Sequence, residues 1–166
     1  VKISLRRLNE FDLEPFSNWM RDRDLLDILS PGADVPSKED VLSGFVNLLK
    51  SKNDLHFIVS DSDLPIGMVS LLRDKSGWFK MQVMIGEKKY WNRGCDVEAI
   101  RLAAEMMKDR ELDVFMEVRP DSEKTIAAFT SCGFMPQKIK RCPRDTNFPK
   151  VLRMDLSREK PDYLSA

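Results

Sequence analysis

Histidine is almost missing from this chain of 166 residues, with His56 the only one. Its three cysteines, Cys95, Cys132 and Cys142, are odd in number and form no Cys-x-x-Cys pair. A structural zinc site needs a cluster of thiolate and imidazole ligands and a disulfide framework needs paired cysteines, so neither fits. Also missing is any run of the roughly 18 to 20 apolar residues that a membrane span requires, and the N-terminus has no basic stretch followed by an apolar one. These absences predict a cytoplasmic protein with no metal and no membrane partner. An excess of one charge is missing too, since 27 Lys and Arg balance 27 Asp and Glu. Domains that hold nucleic acid by bulk electrostatics carry a basic excess, so no nucleic-acid partner is expected.

What is present is enough for one self-sufficient core. Hydrophobic residues make up 42% of the chain, and a chain this long buries roughly 70% of its unfolded surface without staples. Lys2 to Leu8 alternates like a strand. From Leu13 to Leu29, Phe16, Trp19, Met20, Leu25, Leu26 and Leu29 recur at helical spacing, with a break expected at Arg21 to Asp24, and Ser30-Pro31-Gly32 stops the run. Ser37 to Asp40 resembles a capping box ahead of Val41, Phe45, Leu48 and Leu49, which predicts another helix. Leu55 to Ser60, Ile66 to Arg73 and Trp78 to Ile85 have strand character and are joined by turn sequences, as in an antiparallel meander. A helix from about Asp96 to Asp109, a strand from Leu112 to Val118, a helix from Ser122 to Ser131, and strands from Phe134 to Arg141 and Val151 to Leu156 follow. Pro161 to Ala166 has the character of a frayed tail. Helices between strands imply crossovers, hence an α/β fold with a mixed sheet and a small-molecule site where strands diverge towards a helix start.

The stretch Ile85 to Ile100 carries the clearest chemical signal. It is a strand end, a polar turn and a helix N-terminus whose unpaired N–H groups suit an anion. Gly94 allows close approach of the backbone, and Arg93 adds a forked cation suited to phosphate. Such turns also occur without any ligand. Asp96 suits a helix cap, and Cys95 is either a thiol activated by the helix start or a small turn residue.

Tyr90, Trp91, Arg93, Gly94, Glu98 and Ala99 resemble the pyrophosphate loop of the GNAT superfamily of N-acetyltransferases, in its RimJ/RimL-like branch. Met116-Glu117-Val118, Ile126, Phe129 and Gly133-Phe134 resemble that family's second motif at the same spacing, and the terminal strands agree. The resemblance implies a single GNAT-type domain over residues 1–156 with a tail at 157–166. Its mixed, mostly antiparallel sheet would be flanked by helices, with splayed central strands at Trp78 to Ile85 and Leu112 to Val118. It implies acetyl-CoA as co-substrate and a small-molecule or peptide amine as acceptor, in a monomer or homodimer. Backbone groups of Val83, Met84 and Ile85 would meet the pantetheine arm, and the amides of Asn92, Arg93, Gly94, Cys95, Asp96 and Val97 the pyrophosphate.

Glu117 would be the base that takes the amine proton, and Thr125 the donor to the departing sulfur. Ser122 stands at the family's usual Asn and Phe129 at the tyrosine of many members, both beside the cofactor. Asp96 replaces a small residue, and a carboxylate about 4 Å from a phosphate is disfavoured by roughly 4 kcal/mol at an effective dielectric near 20. Glu117 reads equally as a strand glutamate paired with a lysine or arginine, and Thr125 as a cap or surface residue. Trp19, Met20, Phe45 and Leu48 would wall the acceptor side by resemblance, or serve the core as amphipathic stripes. Lys138, Lys140, Arg141 and Arg144 suggest a solvated sheet edge or attraction of a phosphorylated acceptor. The departures at Asp96 and Phe129 also support a second reading, a non-catalytic GNAT-like module that binds CoA or a protein.

Overall fold

The computed structural model describes residues 1–142 and 150–158. Arg144 and the expected tail from Pro161 lie outside the described residues.

Local caps decide where the N-terminal helices begin. After strand β1 (Ile3–Arg7), Asn9 and Asp12 exchange side-chain and backbone hydrogen bonds in a reciprocal capping box, which starts a single 3-10 turn and then helix α1 (Leu13–Met20). Asp12, only 2% exposed, accepts from both terminal nitrogens of Arg6 at 2.9 and 2.7 Å and so ties β1 to α1. Burial would raise its carboxyl, but the hydrogen bonds from Arg6 and Asn9 outweigh burial and hold it below the ordinary range. The expected break falls after Met20. Asp22 caps the Leu25 amide and begins α2 (Arg23–Leu29), and Ser37 caps the Asp40 amide at the start of α3 (Lys38–Lys50).

The remaining elements are β2 (Leu55–Asp61), β3 (Leu64–Arg73), β4 (Phe79–Ile85), a 3-10 turn (Lys88–Tyr90), α4 (Cys95–Asp109), β5 (Val114–Val118), α5 (Glu123–Ser131), β6 (Phe134–Arg141) and β7 (Lys150–Leu156). Among the described residues seven strands form one sheet in the order β1-β2-β3-β4-β5-β7-β6. Among the described residues only β4 and β5 are parallel; every other pair is antiparallel. The final strand inserts between β5 and β6, so β6 becomes the edge. Lys138 and Lys140 lie there beside a register shift between Pro136 and Ile139, features that discourage pairing with another strand.

Alternation sends neighbouring residues to opposite faces. Phe57 and Val59 join the larger core with Ile100 and Met107 of α4, whereas Ile58 between them packs with Trp19 and Leu25. Trp19 and Phe45 are each 2% exposed, and Met20 and Leu48 pack against the same buried groups. Trp19 and Phe45 are core residues, whereas Met20 and Leu48 are only partly buried against that core.

His56 is buried, and its Nδ1 lies 2.8 Å from Ser70 Oγ while Nε2 has no partner among the described residues. Burial pushes its pKa down, so the folded chain refuses a proton that the unfolded chain takes near pH 6.5. Stability is therefore complete above about pH 6.5 and falls as the pH drops below it, by at most about 1.4 kcal/mol per pH unit until the folded-state pKa is passed. With a single histidine, no other side chain has its ordinary pKa in that window. Urea midpoints measured between pH 7.5 and 5.5 should fall for the native chain and stay nearly flat for His56→Gln.

Candidate functional site

The parallel ladder between β4 and β5 consists of Phe79↔Val114 and Lys80↔Phe115 and then stops. β4 nevertheless continues alongside β3 to Gly67↔Ile85, and β5 stays with β7 to Val118↔Leu152. The two strands therefore diverge into a wedge. Phe79 N–H donates to Asp113 O at 2.8 Å, which fixes the alternation of β4. Met81, Val83 and Ile85 direct their backbone groups into the wedge, and Gln82 and Met84 direct theirs to β3. Of the three residues expected to meet a pantetheine arm, Met84 is thus turned away, its register partner being Met68.

Above the wedge, residues 86–94 are pinned from several sides. The Gly86 and Glu87 amides both donate to Ile66 O, at 2.8 and 3.1 Å. Trp91 Nε1 donates to Ile85 O at 2.8 Å, which leaves the Ile85 amide and both backbone groups of Val83 open to the wedge. Tyr90 donates to Asp61 Oδ2 at 2.7 Å; that hydrogen bond, with burial, raises the phenol, while the Lys2 amide and Tyr90 lower the Asp61 carboxyl. Trp19 Nε1 donates to Glu87 Oε1 at 2.9 Å, and Lys88 bridges to Asp22 at 3.0 Å and also to Asp24. Hydrogen bonds to Asp24 and Asp22 raise the Lys88 ammonium.

The turn closes through two left-handed residues, Asn92 at φ 59 and Gly94 at φ 76. Asparagine and glycine are the residues that reach this conformation cheaply. Gly94 is the N-cap of α4 and offers no side-chain hydrogen bond, and the first bond back to it comes from Glu98. The amides of Cys95, Asp96 and Val97 therefore project from the helix start without an intrahelical acceptor. A Cβ at Gly94 would meet nothing within 4 Å, so the space over these amides is open. Arg93 and Asp96 are both exposed beside it. Asp96 is the second helical residue and not the cap, which corrects that expectation. Cys95 opens the helix as a core residue, and burial pushes its thiol up, contrary to an activated thiol.

On β5, Glu117 Oε2 accepts from Lys80 Nζ at 3.1 Å. Ser122 is the N-cap of α5 but makes no side-chain cap hydrogen bond; its hydroxyl donates to Thr125 Oγ1 at 2.8 Å, which leaves the Thr125 hydroxyl hydrogen able to donate elsewhere. Phe129 is 8% exposed in the larger core, together with Cys132, so its ring is a packing group. Two surface hollows flank the exposed Phe11, outside the wedge; one of them shares Glu87 with the loop. Among the described residues, no group of three or more His, Cys, Asp or Glu could hold a metal ion, and no helix is long and apolar enough to cross a membrane.

Several contributors were not singled out from the sequence. Lys80, Asp61 and Glu87 carry no local mark, because their partners are distant in the chain. Gly67 does: an isolated glycine within a strand pattern signals a close backbone approach, and here a Cβ would lie 2.2 Å from Met84 O.

The fold is shared with solved N-acetyltransferases. A chimera of spermidine N-acetyltransferase SpeG from Vibrio cholerae and hSSAT superposes with a TM-score of 0.76 at 18% identity, over 95% of this chain and 96% of that one. Aminoglycoside acetyltransferase AAC(6')-Ib in complex with coenzyme A gives 0.75 at 16% identity, over 95% of each chain. Spermidine N-acetyltransferase from Vibrio cholerae in complex with CoA and spermine gives 0.74 at 18% identity, over 93% of this chain and 94% of that one. At such identities the likeness is one of fold. No curated sequence matches the chain. The family model described as acetyltransferase (GNAT) domain matches residues 2–135, and the chain belongs to that family.

Proposed function

We propose that this protein is a cytoplasmic, acetyl-CoA-dependent N-acetyltransferase of the RimJ/RimL-like branch, its domain spanning residues 1–156, that acts on a primary amine. The observation that carries this reading is the β4–β5 ladder that ends after two pairs below a helix start with no side-chain cap hydrogen bond. The residues fit the co-substrate: open backbone groups at Val83 and Ile85 suit an amide-bearing arm, and the amides of Asn92 to Val97 with Arg93 suit a pyrophosphate. Bound acetyl-CoA would supply an acyl thioester that an amine can attack directly. Glu117 takes the proton of the attacking amine, and the Thr125 hydroxyl donates to the departing sulfur. The acceptor is a small-molecule or peptide amine; the structural neighbours are named for spermidine and for aminoglycosides.

Calorimetric titration with acetyl-CoA and with desulfo-CoA, at low and moderate salt, tests the reading. Micromolar binding that weakens with salt is expected, followed by acetylation of a member of an amine panel. No binding up to millimolar donor would remove the co-substrate and the enzyme together. The buried phenyl ring at Phe129, which has no proton to give, favours the second reading of a CoA-binding module; tight binding without transfer to any amine is its signature. Asp96→Asn removes an exposed carboxylate beside the free amides and should tighten acetyl-CoA binding about fivefold at low salt. An unchanged affinity would mean that Asp96 points clear of the bound phosphates.

A further inference from the structure

Lys80 occupies the last paired position of the β4–β5 ladder, opposite Phe115. Phe115 and Glu117 share one face of β5 by alternation, and the Lys80 ammonium reaches along that face to Glu117 Oε2 at 3.1 Å. The register also sets Arg153 of β7 opposite Glu117, yet its guanidinium is engaged elsewhere. Arg153 Nε donates to Asp155 Oδ1 at 2.7 Å, and its Cζ lies 4.0 Å from the Phe115 ring centroid and 4.8 Å from that of Trp78. The structure thus pairs Glu117 with Lys80 and not with Arg153. Glu117 Oε1 accepts no hydrogen bond among the described residues. The side chains of Lys80 and Glu117 are 33% and 20% exposed, so the pair can be reached by solutes without being fully solvated.

We infer that Lys80 is a positioning residue for Glu117 and sets the charge of the acceptor that the site prefers. This rests on the acetyltransferase reading above. By holding one carboxylate oxygen, Lys80 fixes the rotamer of Glu117 and leaves the other oxygen for the acceptor nitrogen. Its charge cancels that of Glu117, so the pair is neutral before the acceptor arrives. A single ammonium loses its charge when its proton passes to Glu117, whereas every further ammonium close by is repelled by Lys80. The preferred acceptor class is therefore an amine with one cationic group, in preference to a polycation.

Steady-state kinetics of the native chain, Lys80→Met and Lys80→Arg, with propylamine and with spermidine as acceptors, test this. Lys80→Met should lower kcat about tenfold with both acceptors, because the base is no longer held in place. It should also shift the ratio of kcat/KM values about fivefold towards spermidine. Lys80→Arg should restore both quantities to within about threefold. Acetyl-CoA affinity within about twofold of native shows that the Lys80→Met chain is folded, and the change in acceptor preference is a readout that a purely structural role would not move. An active native enzyme whose kcat and acceptor preference are unchanged in Lys80→Met overturns the role of Lys80 alone, as does failure of Lys80→Arg to rescue. A native chain that binds acetyl-CoA yet acetylates no amine overturns the acetyltransferase reading, and the inference falls with it.

Discussion

Glu117→Gln should slow acetyl transfer by about 10²- to 10⁴-fold, the usual contribution of a positioned general base, with acetyl-CoA affinity within about twofold of native. Glu117 lies two residues beyond Phe115, the last β5 residue paired with β4, at the point where the wedge begins. It is only partly exposed and carries one ion pair. Glutamine has the same shape and keeps an oxygen for Lys80, so packing and the wedge should survive while proton acceptance is lost. Single-turnover acetylation, with calorimetry on the same preparations, separates chemistry from binding. A Glu117→Gln protein as fast as native would remove Glu117 as the base and return it to the role of a strand ion pair.

Gly67→Val should destabilise the fold by about 3 kcal/mol and lower the melting temperature by roughly 10 °C. The obstacle is backbone: a Cβ at residue 67 would lie 2.2 Å from Met84 O and 3.0 Å from Ile85 Cα. Neither atom belongs to a flexible side chain, so relief requires β4 to move just where its free edge lines the wedge. Beside it, a Cβ at Gly86 would strike the buried Trp19 ring at 2.2 Å, so that crossing is closed from the other side as well. Acetyl-CoA affinity should therefore fall along with stability, as read by thermal melts and calorimetry on one preparation. A Gly67→Val protein with native melting and native affinity would show that the end of β4 is more pliant than this packing implies.

The legible parts of this protein are those governed by neighbours in the chain. The strand segments follow from period-two alternation, α3 from Ser37 and its apolar spacing, and the break after Met20 from the capping power of Asp22. The turn at residues 90–94 lies between strand and helix as the local pattern implies, and it closes through Asn92 and Gly94, which reach left-handed conformations that other residues avoid. Asp96 was misplaced as a cap for the same local reason: aspartate suits a helix start, but Gly94 takes the cap position one residue before the helix begins.

The amino-acid sequence by itself determined the alternation and helical periodicity, the cap residues and the motif spacing that marks the family, since each depends on residues within a few positions of one another. Tertiary structure alone decided that β7 inserts between β5 and β6, that the parallel pairing stops after Lys80, that Met84 turns its backbone to β3, and that Glu117 meets Lys80 while Arg153 opposite it is drawn to Asp155, Phe115 and Trp78. These outcomes join strands far apart in the chain. Competing partners of similar chemistry are separated there by the register and by which backbone groups the sheet has already paired, quantities that no local window of residues contains.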